Sequence, residues 1–125
     1  MRAARTGQNV PVRLALVLVA VALLLAGCGE STDPKKQAED LGSVAAEGAL
    51  LAHDAADGAS TGPFTRVHSE VLREDVHKLE AKLKQRPLVR LADEISSALD
   101  ELPDQPDAAA RRLDDAADRA DELAQ

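Results

Sequence analysis

A chain of 125 residues has room for one small domain. All 22 acidic residues follow Cys28 but only 12 of the 15 basic ones do, so the chain beyond that point carries a net charge near −10, which repels nucleic acid and anionic headgroups. A single cysteine excludes an intramolecular disulfide, and the absence of Trp and Tyr, with Phe64 the one aromatic ring of this kind, removes the usual stacking platforms for bases and sugars.

At the N-terminus, Arg2, Arg5 and Arg13 precede an uncharged run from Leu14 to Ala26. At ~1.5 Å per residue this run reaches ~20 Å, short of a ~30 Å hydrocarbon core and suited to the apolar region of an export signal. It ends in Leu25-Ala26-Gly27-Cys28. That tetrapeptide resembles the bacterial lipobox, an aliphatic residue and two small ones before an invariant cysteine, at all four positions. The resemblance covers roughly the first 28 residues. It implies a lipoprotein precursor in which the Cys28 thiol takes a diacylglycerol, the Gly27–Cys28 bond is cut, and the freed amine is open to acylation. Residues 1–27 are then a signal peptide, and the mature chain is held at the extracytoplasmic face of a cell membrane. Residues 28–33 are polar and flexible in composition and serve as a tether.

Residues 34–125 carry four stretches of helical periodicity and none that alternates as a strand does. The first runs from about Pro34 to Asp57. Leu41, Val44, Ala45, Gly48, Leu51, Ala52 and Ala55 form its apolar face, Asp33 or Thr32 caps it, and Gly58 stops it. Gly42 and Gly48 leave a flat surface that another helix can approach closely. The second opens at Pro63, with Phe64, Val67, Val71, Leu72, Val76, Leu79 and Leu83 as its inner face, and runs to a break near Arg86, before Pro87. Either a turn or a kinked helix satisfies that break. Leu88, Leu91, Ala92, Ile95, Ala98, Leu99 and Leu102 give the third, which Pro103 ends. Asp104 to Asp107 form a capping pattern for the fourth, whose apolar face is Ala109, Leu113, Ala116, Ala117, Ala120 and Leu123. That face is mostly alanine, so the fourth helix is the one expected to fray or to dock elsewhere.

Short connections make consecutive helices antiparallel. The sequence therefore predicts an all-α protein, a small up-and-down bundle of three or four helices. Its 19 large apolar residues suffice for one core with little to spare, so no buried small-molecule cavity is expected.

Three histidines, His53, His68 and His77, are the candidate metal ligands. Glu74 and His77 are spaced to share a helical face, as in di-iron bundles, which need two such pairs and two further glutamates. Here Glu47 and His53 would have to complete the set. His68 and His77, nine residues apart, point to opposite sides of one helix. The serines show no nucleophile elbow, and the paired carboxylates fit solvated faces. Lys78, Lys82 and Arg86 recur every four residues as a basic stripe; the favoured expectation is local pairing, as of Glu74 with Lys78, and the alternative is a docking surface for a partner or for lipid headgroups. The leading expectation is a non-enzymatic, membrane-tethered interaction module with no cofactor beyond its lipid and with an envelope protein as partner. A metal-binding bundle and a purely structural spacer are the alternatives.

Overall fold

The computed structural model describes residues 32–125; the expected export signal, Cys28 and the start of the expected tether lie outside the described residues. Four helices follow one another: α1 (Pro34–Ala56), α2 (Gly62–Glu80), α3 (Arg86–Glu101) and α4 (Pro106–Leu123). Each begins with proline in its first turn, where the missing N–H costs nothing. The Asp33 side chain accepts from the Lys35 amide at 3.1 Å and caps α1. Thr61 does the same for α2 through the Phe64 amide at 3.4 Å.

The end of α1 shows why Gly58 is needed. The Ala59 amide bonds the Asp54 carbonyl at 2.8 Å, and the Gly58 amide bonds the Ala55 carbonyl at 3.2 Å. This closing pattern requires a left-handed residue between them, and Gly58 has φ of 75°. At α4 the expected cap is not found. Gln105 precedes the helix without a side-chain bond, and Asp107 instead places its carboxylate in the first turn, where the helix dipole favours it.

The second break is a turn, and it comes earlier than the proline suggested. α2 ends at Glu80, and residues 81–85 form the link to α3. The Lys82 and Leu83 amides reach back three residues to the carbonyls of Leu79 and Glu80, which tightens the chain out of the helix before Pro87 is reached. Lys82 and Lys84 thus lie in a link rather than in a helix.

The helices run up and down as a four-membered ring. α1 touches α2, α3 and α4; α3 touches α2 and α4; α2 and α4 do not meet. The most extensive interface joins the first helix to the last. There Gly42 sits so close to α4 that a methyl group added to it would stand 3.0 Å from the Ala120 Cβ. At Gly48 such a methyl would come within 2.9 Å of Leu99 Cδ2 and 3.2 Å of Leu113 Cδ1. The alanine-rich face of α4 is therefore not a loose end. Ala109, Ala110, Leu113, Ala116 and Ala120 are buried, because small residues on both helices let the two backbones approach. Leu41, Leu72, Val76, Leu88, Ile95, Leu99, Leu102 and Leu113 fill the centre.

The inner face of α2 differs from the expected one. Leu72 and Val76 are buried, but Phe64, Val67 and Val71 are 56%, 62% and 49% exposed. The spacing of Leu72, Val76, Leu79 and Leu83 sets the buried stripe, and carrying it back along the helix leads to Ser69 and Thr65. These two are buried with satisfied hydroxyls: Thr65 donates to the Thr61 carbonyl at 2.8 Å and Ser69 to the Arg66 carbonyl at 2.9 Å. The choice of large apolar residues alone had merged two faces about 100° apart.

Two stability measurements test this packing. Gly42→Ala is expected to lower the unfolding free energy by about 1 kcal/mol, because overpacking against Ala120 outweighs the gain of ~1 kcal/mol in helix propensity. Gly62→Ala, with open space around it, should be close to neutral in the same urea titration. For α2, Leu72→Ala should cost about 2–5 kcal/mol and Val67→Ser no more than ~0.5 kcal/mol. Equal losses from the two would reverse the assignment of its faces.

Candidate functional site

Glu74 and His77 share a face of α2, and both line one surface groove with Glu70, Arg73 and Ser96 between α2 and α3. The other two proposed ligands lie elsewhere. Glu47 Oε1 is 3.2 Å from His68 Nε2, which ties α1 to α2. His53 Nε2 is 2.9 Å from Asp114 Oδ2, which ties α1 to α4. His77 Nδ1 is 3.5 Å from Glu80 on its own helix. Glu47, His53 and His77 are thus engaged in three separate contacts, and no three His, Cys, Asp or Glu side chains among the described residues converge as metal ligands do. His68 and His77 point to different sides of α2, as their nine-residue separation requires.

The hydroxyl groups are engaged locally. Ser43 donates to the Glu39 carbonyl at 3.1 Å, Ser60 meets Thr65 at 2.7 Å, and Arg112 donates to Ser97 at 3.2 Å. Among the described residues no histidine bonds a serine. The α2–α3 groove, about 380 Å³, is bordered by charged side chains on an open surface rather than closed over by apolar ones.

The outward face of α2 is the more informative surface. Phe64, Val67 and Val71 follow at spacings of three and four and make one exposed apolar stripe. The Phe64 ring stacks on His68 with centroids 5.6 Å apart, and His68 is held in turn by Glu47. The aromatic end of the stripe is therefore positioned, while its outer surface stays in water. Burying such groups favours association at roughly 25 cal/mol per Å² of apolar area. The signal for this stripe was present in the sequence: two apolar registers overlap on α2, and a ring of four helices buries only one of them.

Ion pairs decorate the remaining faces. Arg73 meets Asp100 at 3.2 Å across α2 and α3, and Arg112 meets Glu101 at 2.8 Å across α3 and α4. Arg119 pairs with Glu94 across the same helices, and this hydrogen bond raises the arginine pKa above its ordinary value. Such exposed pairs are each worth about 0–1 kcal/mol and fix register more than stability. Glu74 and Lys78, the pair expected on α2, do not form an ion pair.

Comparison of the chain with protein-family models, curated proteins and solved structures finds no match.

The scatter of the imidazoles leads to a direct measurement. Adding zinc or ferrous iron to the metal-free protein is expected to leave its melting temperature unchanged, and His77→Ala should leave it unchanged as well. A stoichiometric metal whose binding is lost in His77→Ala would show that Glu74 and His77 recruit ligands on metal addition.

Proposed function

We propose that the protein is a lipid-anchored, non-enzymatic interaction module of the bacterial cell envelope. The observation that carries the reading is the motif Leu25-Ala26-Gly27-Cys28, in register behind three arginines and an apolar run of signal length. Diacylglycerol on the Cys28 thiol supplies two acyl chains, enough for stable anchoring where one chain is not. Among the described residues no helix is long and apolar enough to cross a membrane, so the lipid is the anchor this reading provides. From Gly29 to Asp33 the tether reaches at most about 17 Å, which keeps the bundle next to the bilayer.

Two features of the bundle support binding rather than catalysis as its task. Among the described residues, helical packing gathers the buried aliphatic side chains into one continuous core. The stripe of Phe64, Val67 and Val71 offers an apolar ridge on a largely polar surface, where Leu50, Val89 and Leu123 are also exposed, and a ridge is the kind of feature that another envelope protein can cover.

The experiment is photo-crosslinking in intact cells from a probe at Val67, paired with mass spectrometry of the N-terminus. The expected results are an acylated Cys28 as first residue, release of the Cys28→Ser protein from the membrane fraction, and a discrete crosslinked partner. An unmodified Cys28 with residues 1–27 still attached removes the address; an acylated protein with no adduct at Val67 removes the partner.

A further inference from the structure

All five lysines of the chain, at positions 35, 36, 78, 82 and 84, lie at one end of the bundle. Lys35 and Lys36 are in the first turn of α1, Lys78 is in the last turn of α2, and Lys82 and Lys84 are in the link to α3. A direct contact joins these segments: the Gln37 side-chain amide donates to the Lys82 carbonyl at 3.2 Å. Arg86 continues the cluster at the start of α3. It is the end from which the chain runs back toward Cys28.

Lys35, Lys78, Lys82, Lys84 and Arg86 are exposed, and none forms an ion pair with a described residue; among the arginines on other faces Arg73, Arg112 and Arg119 are paired, and Arg66, Arg90 and Arg111 are not. Helix stability accounts for Lys78, in the last turn of α2, but not for the cations at helix starts. Lys35 and Arg86 stand at helix N-termini with no acidic residue in either first turn, where the dipole disfavours a cation. At the same end Asp33 caps α1 and Asp40 lies on it, and Asp118, Asp121 and Glu122 belong to α4, which touches α1 and α3 but not α2; within residues 78–86 the one carboxylate, Glu80, faces His77. The acidic residues Asp54, Asp57, Asp104 and Asp107 lie at the far end. α1 is ~35 Å long and the screening length in physiological salt is ~8 Å, so those charges barely act on the lysine end. A net charge near −10 beyond Cys28 therefore coexists with a cationic stretch at this corner, residues 78–86, where four basic residues meet one acidic.

We propose that this corner seats the domain on anionic phospholipid headgroups. Choosing a membrane over another polyanion rests on the anchoring reading, since a tether of at most about 17 Å delivers this end to within range of the surface. Seating there turns the stripe of α2 sideways along the bilayer, toward neighbours in the same membrane.

The test uses the Thr32–Gln125 fragment, whose four helices close their own core. It is sedimented with vesicles at about 0.15 M salt. Binding is expected to vesicles containing phosphatidylglycerol and to be absent from pure phosphatidylcholine. Lys78→Gln/Lys82→Gln/Lys84→Gln should weaken it on the order of a hundredfold, while Arg66→Gln/Arg111→Gln, cations of the far end, should leave it within about twofold. Both variants change exposed residues, and circular dichroism verifies that the helices persist. Binding that ignores phosphatidylglycerol, survives the triple substitution, falls equally with the far-end pair, or is competed off equally well by single-stranded DNA overturns the proposal. The fragment lacks Cys28, so these outcomes are independent of acylation. Vesicle binding by a protein found unmodified in cells would topple the anchor and keep the corner.

Discussion

The close approach of α1 and α4 is the contact on which the rest of the bundle depends. These helices are the most distant in sequence, and bringing them together carries the largest loop-closure entropy of any pair. Alanine supplies little apolar area to offset that, about 0.8 kcal/mol for each buried methyl. What offsets it is distance. With glycine at positions 42 and 48 the backbones come near enough for alanine methyls to meet, and many short contacts replace a few large ones. Opening this interface would unroll the ring into a row of helices and expose Leu99 and Leu113, which touch α1 at Gly48.

That arrangement accounts for the character of α2. It meets α1 and α3 but not α4, and buries only Thr65, Ser69, Leu72 and Val76. Nine residues of α1 are buried over its 23. With its small hydroxyl residues turned inward, α2 keeps Phe64, Val67 and Val71 for its outer surface. An apolar outer stripe contributes nothing to the core, and its cost in solubility is borne by the surrounding charge. The least embedded helix is thus the one with an exposed apolar stripe.

Charge is segregated in the same way. Three arginines serve as clasps between helices, at Arg73–Asp100, Arg112–Glu101 and Arg119–Glu94. Lysines gather at one end and are left to solvent, apart from Lys36, which pairs with Asp40 at 3.2 Å. The division fits the side chains, since the planar fork of guanidinium suits a fixed carboxylate and a mobile ammonium suits a diffuse anionic surface. Under the proposed anchoring, one end of the bundle faces lipid and one helix faces partners, with no catalytic group required at either place.

Helix number, the faces of α1 and α3, the stop at Gly58 and the close-packing role of Gly42 and Gly48 were all legible in the residues. Each follows from local spacing or from a conformation that only one residue type adopts readily. The candidate site was legible only in part. Glu74 and His77 share a face because helix geometry alone places them, but the distances from Glu47 and His53 to that face depend on how three helices are arranged. The tertiary structure alone decided which of two apolar registers α2 would bury, that the alanine face of α4 is spent on α1, and that five lysines distributed over fifty residues meet at one corner. Periodicity tells which side chains share a face of one helix; which face is covered, and what stands beside it, is set by neighbours remote in the chain.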